Sequence, residues 1–276
     1  ECRITSELPI GAGISSSAAL ECGVAKGLNH LFDLNLSDIE LIEISRMAEH
    51  NFVGTKCGVM DQFAVTMGQN NKLLLLNCES LDYQLIDADF SPCKIVLLNS
   101  NVYHNLASSE YNNRREECEQ ALRIIQEHHP NFNFLADVPE TIIESLKEKL
   151  LGKAYHRARY VSLENARTLK AASLIQEGKI ESFGALMYQT HIGLSKNYEV
   201  SCPELDFLVG LTLDLPQVLG SRMMGGGFGG CTINLVKEDF VQNLMDIAEE
   251  EYKKEFGIEV TPIMVETSNG VEIINS

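Results

Sequence analysis

Five of the eight residues in "MMGGGFGG", Met223 to Gly230, are glycine, the densest such run in the chain. So little side chain in one place has two physical explanations. One is a flexible linker, which is Gly/Ser-rich and lies between domains. The other is backbone that comes so close to something that a Cβ would not fit. A phenylalanine interrupts these glycines, and "CTINLV", alternating like a strand, follows at once. That pattern favours close approach to a ligand or to another segment. A tight structural turn stays open beside it.

The chain has 276 residues, 45% of them hydrophobic and 22% charged, which allows a sizeable core in one large domain or two ordinary ones. A formal charge of −17 argues against nucleic acid or an anionic membrane surface as partner. It does not argue against phosphate, which backbone N–H groups, a helix N-terminus and a cation can hold locally. No apolar run approaches the roughly 20 residues of a membrane span. The eight cysteines are scattered without a C-x-x-C pair, so reduced thiols in a cytoplasmic protein are expected rather than a zinc site or a disulfide framework.

Along the chain, "CRITSELP" reads as a strand. "SSSAALECGVAKGLNHLF" reads as a helix with Leu20, Val24, Leu28 and Leu31 on one face and a serine N-cap. "SDIE", Ser37 to Glu40, is a capping-box pattern opening a second helix with Ile39, Ile42 and Met47. "KLLLLN" and "KIVLLN" read as strands and "RREECEQALRIIQEHH" as a helix. Leu146 to Ile175 and Phe183 to Leu194 read as mainly helical. A helix from Asp239 to Phe256 lies between strands in "CTINLV" and "VTPIMVE". This mixed order predicts an α+β or α/β fold. A lobe boundary is expected near Asp87 to Pro92.

Two further motifs carry chemistry. In "PIGAGISSSAALE", Gly11 and Gly13 permit a tight turn, and Ser15, Ser16 and Ser17 stand where a helix begins. Free N–H groups and the positive end of the helix dipole make that place a cradle for phosphate. A turn with a serine N-cap explains the same residues. The motif matches neither G-x-x-x-x-G-K-[ST] nor G-x-G-x-x-G. The Ser17 hydroxyl suits Mg²⁺, a hard ion that takes oxygen ligands, and Glu49 suits the same ion. In "AEHNFVGTKCGVMDQF", Asp61 lies between Met60 and Phe63, an apolar setting in which a carboxylate can serve as general base. A solvated Glu49 and an N-capping Asp61 are the plainer readings. His50, standing alone, reads as structural.

Taken in chain order, the three motifs resemble the GHMP family of small-molecule kinases, with "PIGAGISSSAALE" as phosphate loop and "MMGGGFGG" as C-terminal glycine loop. "GVMDQF", "SNVYHNLASSEYNNRREEC" (100–118), "RARYVSLENARTLKAA" (157–172) and "YEVSCPELDFLV" (198–209) extend the likeness, which narrows to the family's galactokinase branch, across the chain. The resemblance implies an α+β, two-lobed fold. Residues 1–90 would be the remainder of an ATP-binding lobe like ribosomal protein S5 domain 2, and 91–276 a C-terminal lobe. It implies ATP-dependent phosphorylation of galactose at its C1 hydroxyl, in a cleft between the lobes. Gly11, Ala12, Gly13, Ile14, Ser15, Ser16 and Ser17, with Gly225, Gly226 and Gly227, would hold ATP. Ser17 and Glu49 would hold Mg²⁺, Asp61 would be the base, and Tyr111 would contact the sugar. Rival readings are an N-acetylgalactosamine kinase, a non-catalytic galactose sensor, and another GHMP kinase. The intact "SSSAALE" and Asp61 speak against a sensor, and "SSEYNNRREEC" and "EVSCPELD" against another GHMP kinase.

The chain departs from the family pattern in three places. "THIGLSKNYEV" (190–200) differs from the more charged "SHxSLRDDYEV", a difference expected to matter little to the chemistry. Met224 stands where "RMTGGGFGG" has threonine, which removes a hydroxyl. The N-terminal signature "GRVNLIGEHTDY", with an arginine near the catalytic aspartate and several sugar contacts, does not occur. The chain is therefore expected to be an N-terminally truncated piece of a monomeric cytoplasmic kinase. Alone it is expected to be inactive and to self-associate through an open sheet edge and apolar surface.

Overall fold

The computed structural model describes residues 2–9, 11–103 and 107–274; Ile10 of the first glycine motif and 104–106 of the 100–118 stretch lie outside them. Nine α-helices occur among the described residues: α1 (Ser16–Leu31), α2 (Asp38–Ala48), α3 (Met60–Met67), α4 (Ala107–Gln126), α5 (Glu140–Ser145), α6 (Lys153–Gln176), α7 (Ile180–Gly193), α8 (Pro203–Thr212) and α9 (Val241–Phe256). Six strands accompany them: β1 (Lys72–Leu76), β2 (Tyr83–Asp87), β3 (Cys93–Tyr103), β4 (Val218–Met223), β5 (Gly229–Lys237) and β6 (Thr261–Val265).

The strands form an antiparallel hairpin, β1–β2, and a separate antiparallel sheet in the order β4-β5-β3-β6. Strands and helices are segregated rather than alternated in parallel units, so the fold is α+β. Side chains alternate across a strand, so the larger sheet has two apolar faces. Val96 and Leu98 of β3 with Val236 of β5 pack under α8 and α9, through Leu208, Leu244, Ala248 and Tyr252. On the opposite face Leu235 meets Ile180 and Met187 of α7, and Leu97 and Cys231 meet Ala12 of the first glycine motif. The sheet thus carries that glycine motif on its own core.

Helix α7 crosses β4 with no side chain between. A Cβ on Gly184 would fall on the Leu219 carbonyl, and one on Gly220 would stand 2.6 Å from the Gly184 Cα. Helices α4, α5 and α6 form a second core around Ala121, Ile125, Ile143, Leu150 and Ala158. Arg157 of α6, 1% exposed, is balanced by Glu117 of α4 at 2.7 Å and Glu199 at 2.6 Å. It also donates to the Asn197 carbonyl, while Arg114 of α4 donates to the Tyr198 carbonyl at 2.9 Å. Two arginines thereby fix the π-helical turn 194–198. After β6 the chain returns to α3, where Gly270 N–H donates to the Gly68 carbonyl at 2.8 Å and Val271 N–H to the Val65 carbonyl at 2.9 Å.

Several expectations change. "CRITSELP" is not a strand: residues 2–8 are exposed and no strand pairs with them among the described residues. A strand exists through its neighbour's hydrogen bonds, so local propensity does not make one. Leu20, Val24, Leu28 and Leu31 share a helical face, yet they are exposed, and α1 instead buries Ala18 and Cys22. Small residues on that second face let α2 and α3 come close. In α2 the capping box forms as expected and Ile42 is buried, but Ile39 and Met47 are exposed. The helix expected from Leu146 begins only at Lys153, because Gly152 at φ +59° breaks the path. No helix among the described residues is long and apolar enough to cross a membrane.

The Gly184 contact gives a paired prediction. Gly184→Ala should lower thermal stability by about 1–3 kcal/mol through overpacking. Gly27→Ala, inside α1 with nothing within 4 Å of its added Cβ, should raise it by about 0.5–1 kcal/mol. Thermal unfolding of both variants checks the contrast; equal effects would contradict it.

Candidate active site

The two glycine motifs meet backbone to backbone. Gly225 has φ +68°, and a Cβ there would stand 3.0 Å from the Gly13 carbonyl oxygen. Gly230 has φ +80°, and a Cβ there would stand 2.9 Å from the Ala12 carbonyl oxygen and 3.3 Å from the Gly13 Cα. A Cβ on Gly227, at φ +85°, would fall on the Val200 carbonyl. Both the left-handed conformation and the lack of space demand glycine at these positions. The dense glycine run is thus explained by close approach to other protein segments. Gly226 is different: a Cβ there would reach the Tyr111 ring at 3.5 Å, an ordinary contact.

Ala12 and Ile14 pack into the apolar cluster with Leu97 and Cys231, so only their backbone remains for a ligand. Met224 joins the same cluster, and its side chain works as packing. Gly11 (φ +75°) and Gly13 (φ +68°) turn the chain into α1. The expected serine N-cap does not form. Ser15 sits at the cap in the left-handed conformation, φ 60°, without a capping bond. With that backbone its hydroxyl lies beside the Asp61 carboxylate rather than over the helix amides. The first-turn amides at Ser16 and Ser17 are left without a side-chain acceptor, as an anion site requires. Ser17 is exposed and Ser16 half-buried.

Asp61 lies in the first turn of α3, whose N-cap is Val59, so it does not cap the helix. Burial pushes its pKa above the ordinary carboxylate value and the Glu49 charge adds to that, while the Ser15 hydrogen bond opposes. Glu49 follows α2 in a π-helical turn, 49–53, and is 7% exposed, so it is not a solvated surface carboxylate. No cation is paired with Glu49 or Asp61 among the described residues. His50 is structural, with Nε2 2.8 Å from the Cys57 carbonyl oxygen.

Tyr111 is desolvated beside Cys57 and Asp61, with its hydroxyl close to the Gly58 backbone. The ring thus spans from Gly226 to the Asp61 loop. Its neighbours on α4 clamp that loop. Asn112 Oδ1 accepts from Lys56 N–H at 3.3 Å, and Arg115 Nη1 donates to the Lys56 carbonyl at 2.8 Å. This gives a physical sense to "SSEYNNRREEC": one helix turn holds the segment that presents Asp61, and Arg114 holds the 194–198 turn.

Glu21 and Gln62 belong to this region too, and no motif read from the sequence marked them. Glu21 is one helical turn beyond Ser17, and that i, i+4 spacing is the signal that could have found it. Its pKa is raised by burial first and by Glu49 next, against a hydrogen bond from Gln62. Glu21 Oε2 and Gln62 Oε1 are buried without a partner among the described residues. Glu21 and Asp61 thus each feel the Glu49 charge, and none of the three carboxylates has a cation partner among the described residues.

Family models agree with this geometry: residues 1–69 match the GHMP kinases N terminal domain and residues 171–254 the GHMP kinases C terminal model. The chain is 40% identical over 269 residues to a galactokinase of Clostridium acetobutylicum, covering 97% of this chain and 69% of that protein. It is 40% identical over 271 residues to a galactokinase of Thermotoga maritima, covering 98% and 75%. The chain belongs to the galactokinase family of GHMP kinases. Its fold superposes on the crystal structure of Lactococcus lactis galactokinase complexed with galactose with a TM-score of 0.92 and 31% identity, over 96% of this chain and 68% of that one. The chain is therefore a phosphotransferase of this family, and the cleft of Gly13, Ser15, Asp61, Tyr111 and Gly226 is its candidate active site.

The state of Asp61 yields a sign that can be checked. A carboxylate whose folded pKa is raised binds its proton more tightly folded than unfolded. Its favourable contribution is complete below the ordinary value of 3.8 and is lost as pH rises through the raised value. Ionised Asp61 therefore destabilises the ligand-free protein at neutral pH. Asp61→Asn should raise its melting temperature at pH 7.5 and leave it unchanged or lower at pH 3.5. A fall at pH 7.5 would contradict the assignment.

Proposed function

We propose that the protein transfers the γ-phosphoryl group of ATP to the C1 hydroxyl of galactose, giving galactose 1-phosphate. The observation that carries the reading is Asp61, desolvated beside Ser15 at the mouth of a glycine-lined helix N-terminus, in a chain 40% identical to galactokinases. Phosphoryl transfer is mainly positioning and charge neutralisation, and the residues divide along those lines.

In this reading the turn Gly11–Ser17 receives the phosphates on its backbone amides and the start of α1. Gly225, Gly226 and Gly227 form the opposite wall. The sugar lies between Tyr111 and Asp61, with its C1 hydroxyl toward the carboxylate. Asp61 accepts the hydroxyl proton as the oxygen bonds to phosphorus, and ADP departs in line. A raised pKa brings Asp61 closer to the pH at which a base is most effective. Residues 1–90 and 91–276 are proposed as the two lobes flanking this cleft.

Magnesium fits the donor set. Glu49 is a buried carboxylate with no cation partner among the described residues, and the Ser17 hydroxyl is exposed at the start of α1. Both are hard oxygen donors, and few protein ligands suffice when phosphate supplies the others. Bound there, the ion would neutralise phosphate charge. The use of ATP accords with a cytoplasmic setting.

The test is product formation by the full-length protein with MgATP and either galactose or N-acetylgalactosamine. Turnover should occur on galactose and fall by about 10²–10⁴ in Asp61→Asn with folding intact. Glu49→Gln should raise the magnesium concentration needed for half-maximal rate. Preference for N-acetylgalactosamine, or nucleotide binding without turnover on either sugar, would overturn the reading.

A further inference from the structure

The sequence stretch "THIGLSKNYEV" contributes no residue to the cleft, yet it reaches the glycine loop. His191 is buried near the end of α7. Its Nδ1 accepts the backbone N–H of Met223 at 3.2 Å. Its Nε2 lies 3.1 Å from Asp206 Oδ1, and the other Asp206 oxygen accepts the Ser195 hydroxyl at 2.7 Å. Acceptance at Nδ1 fixes the tautomer, with the ring proton on Nε2 facing Asp206.

Met223 is the last residue of β4, directly before the turn of Gly225, Gly226 and Gly227. Its Cα partner in β5 is Thr232, but its N–H points to His191 instead. In an antiparallel pair the N–H and C=O of alternate residues point outward, and on an edge strand they need other partners. The Met223 carbonyl finds one in Arg222 Nη1 at 3.0 Å. Both polar groups of this hinge residue are therefore held by side chains.

We propose that His191 is a positioning residue for the glycine loop. As a neutral imidazole with Asp206 Oδ1 3.1 Å from its Nε2, it anchors the Met223 N–H and so sets Gly225 against Gly13 and Gly226 against Tyr111. Its bearing on turnover rests on the kinase reading above; the anchoring does not.

Protonation would turn the Nδ1 acceptor into a donor facing another donor, and the bond to Met223 would be lost. Burial disfavours the charged ring first, and Lys196 and Arg222 add to that, while Asp206 opposes; the pKa lies below the ordinary value. These are the charged groups facing the ring: Asp206 from α8, Lys196 from the 194–198 turn and Arg222 from β4. From α6, Glu164 is occupied by the Thr190 hydroxyl at 2.7 Å and Tyr160 packs under Gly193. Acid should loosen the loop as pH falls from the ordinary histidine value of 6.5 toward the depressed folded value.

Two variants separate this from a general packing role. In His191→Asn the side-chain oxygen takes the place of Nδ1, accepts from Met223 and does not titrate. In His191→Gln the amide reaches toward Asp206 and leaves Met223 without an acceptor. The readouts, on the full-length protein, are amide hydrogen exchange over residues 223–230 at pH 7.5 and 5.5, corrected for intrinsic rates, and KM for ATP against KM for galactose. H191Q should speed loop exchange at both pH values and raise KM for ATP about tenfold, with KM for galactose changed less than about twofold. H191N should match wild type at pH 7.5 and, unlike wild type, stay protected at pH 5.5. Should H191Q not fold, wild type against H191N across pH carries the same test. Equal exchange in all three proteins, or equal loosening in both variants, would overturn the proposal. Absence of turnover in wild type sinks the kinase reading alone, because exchange decides the anchoring.

Discussion

The contact on which the rest depends is that of bare backbone on bare backbone, where Gly225 and Gly230 lie against Gly13 and Ala12. One side of this contact comes from the start of the chain and the other from the hairpin of a sheet more than 200 residues later. Its closeness is set by the absence of Cβ atoms, so no side chain can tune it and no side chain can fail to order. It brings a helix N-terminus, with its uncapped amides, beside a wall of glycine backbone. Everything the cleft does follows from holding those two turns at this distance.

That distance is held from several sides. Ala12, Leu97, Cys231 and Met224 share one apolar cluster beneath the contact. Ser100 Oγ donates to the Gly230 carbonyl at 2.8 Å, and Tyr252 of α9 donates to the Ser100 carbonyl at 2.8 Å. Helix α4 fixes Tyr111 over Gly226 and, through Asn112 and Arg115, fixes the loop that leads to Asp61. The electrostatics run the opposite way to the packing. Glu21, Glu49 and Asp61 are crowded together without a cation among the described residues. Crowded carboxylates without a cation cost stability, which is the usual relation between a functional cleft and the fold around it.

Much of this was legible in the sequence, and the reasons for the rest are physical. Both glycine motifs, the capping box at Ser37 and the segregated strands and helices could be read because each rests on local chemistry or short periodicity. Asp61 and Glu49 stood out by setting and spacing. The use of the glycines could not be read, because whether a Cβ meets phosphate or the Gly13 carbonyl is decided by a segment remote in sequence. The serine cap failed for a similar reason: the carboxylate beside the Ser15 hydroxyl, Asp61, lies 46 residues away in sequence. On α1 the periodicity found the helix but chose the wrong face, since leucines mark an apolar stripe whether or not anything covers it. His191 had no sequence signal at all, because its partner at Met223 is a backbone N–H.

The most direct measurement of this account is a crystal structure of the full-length protein with an unreactive ATP analogue, magnesium and galactose. The account predicts the γ-phosphate over the Gly13–Ser17 amides and the galactose O1 within hydrogen-bond distance of Asp61, with the Gly225–Gly13 contact unchanged. A nucleotide bound away from the α1 N-terminus, or a sugar whose O1 points away from Asp61, would contradict it.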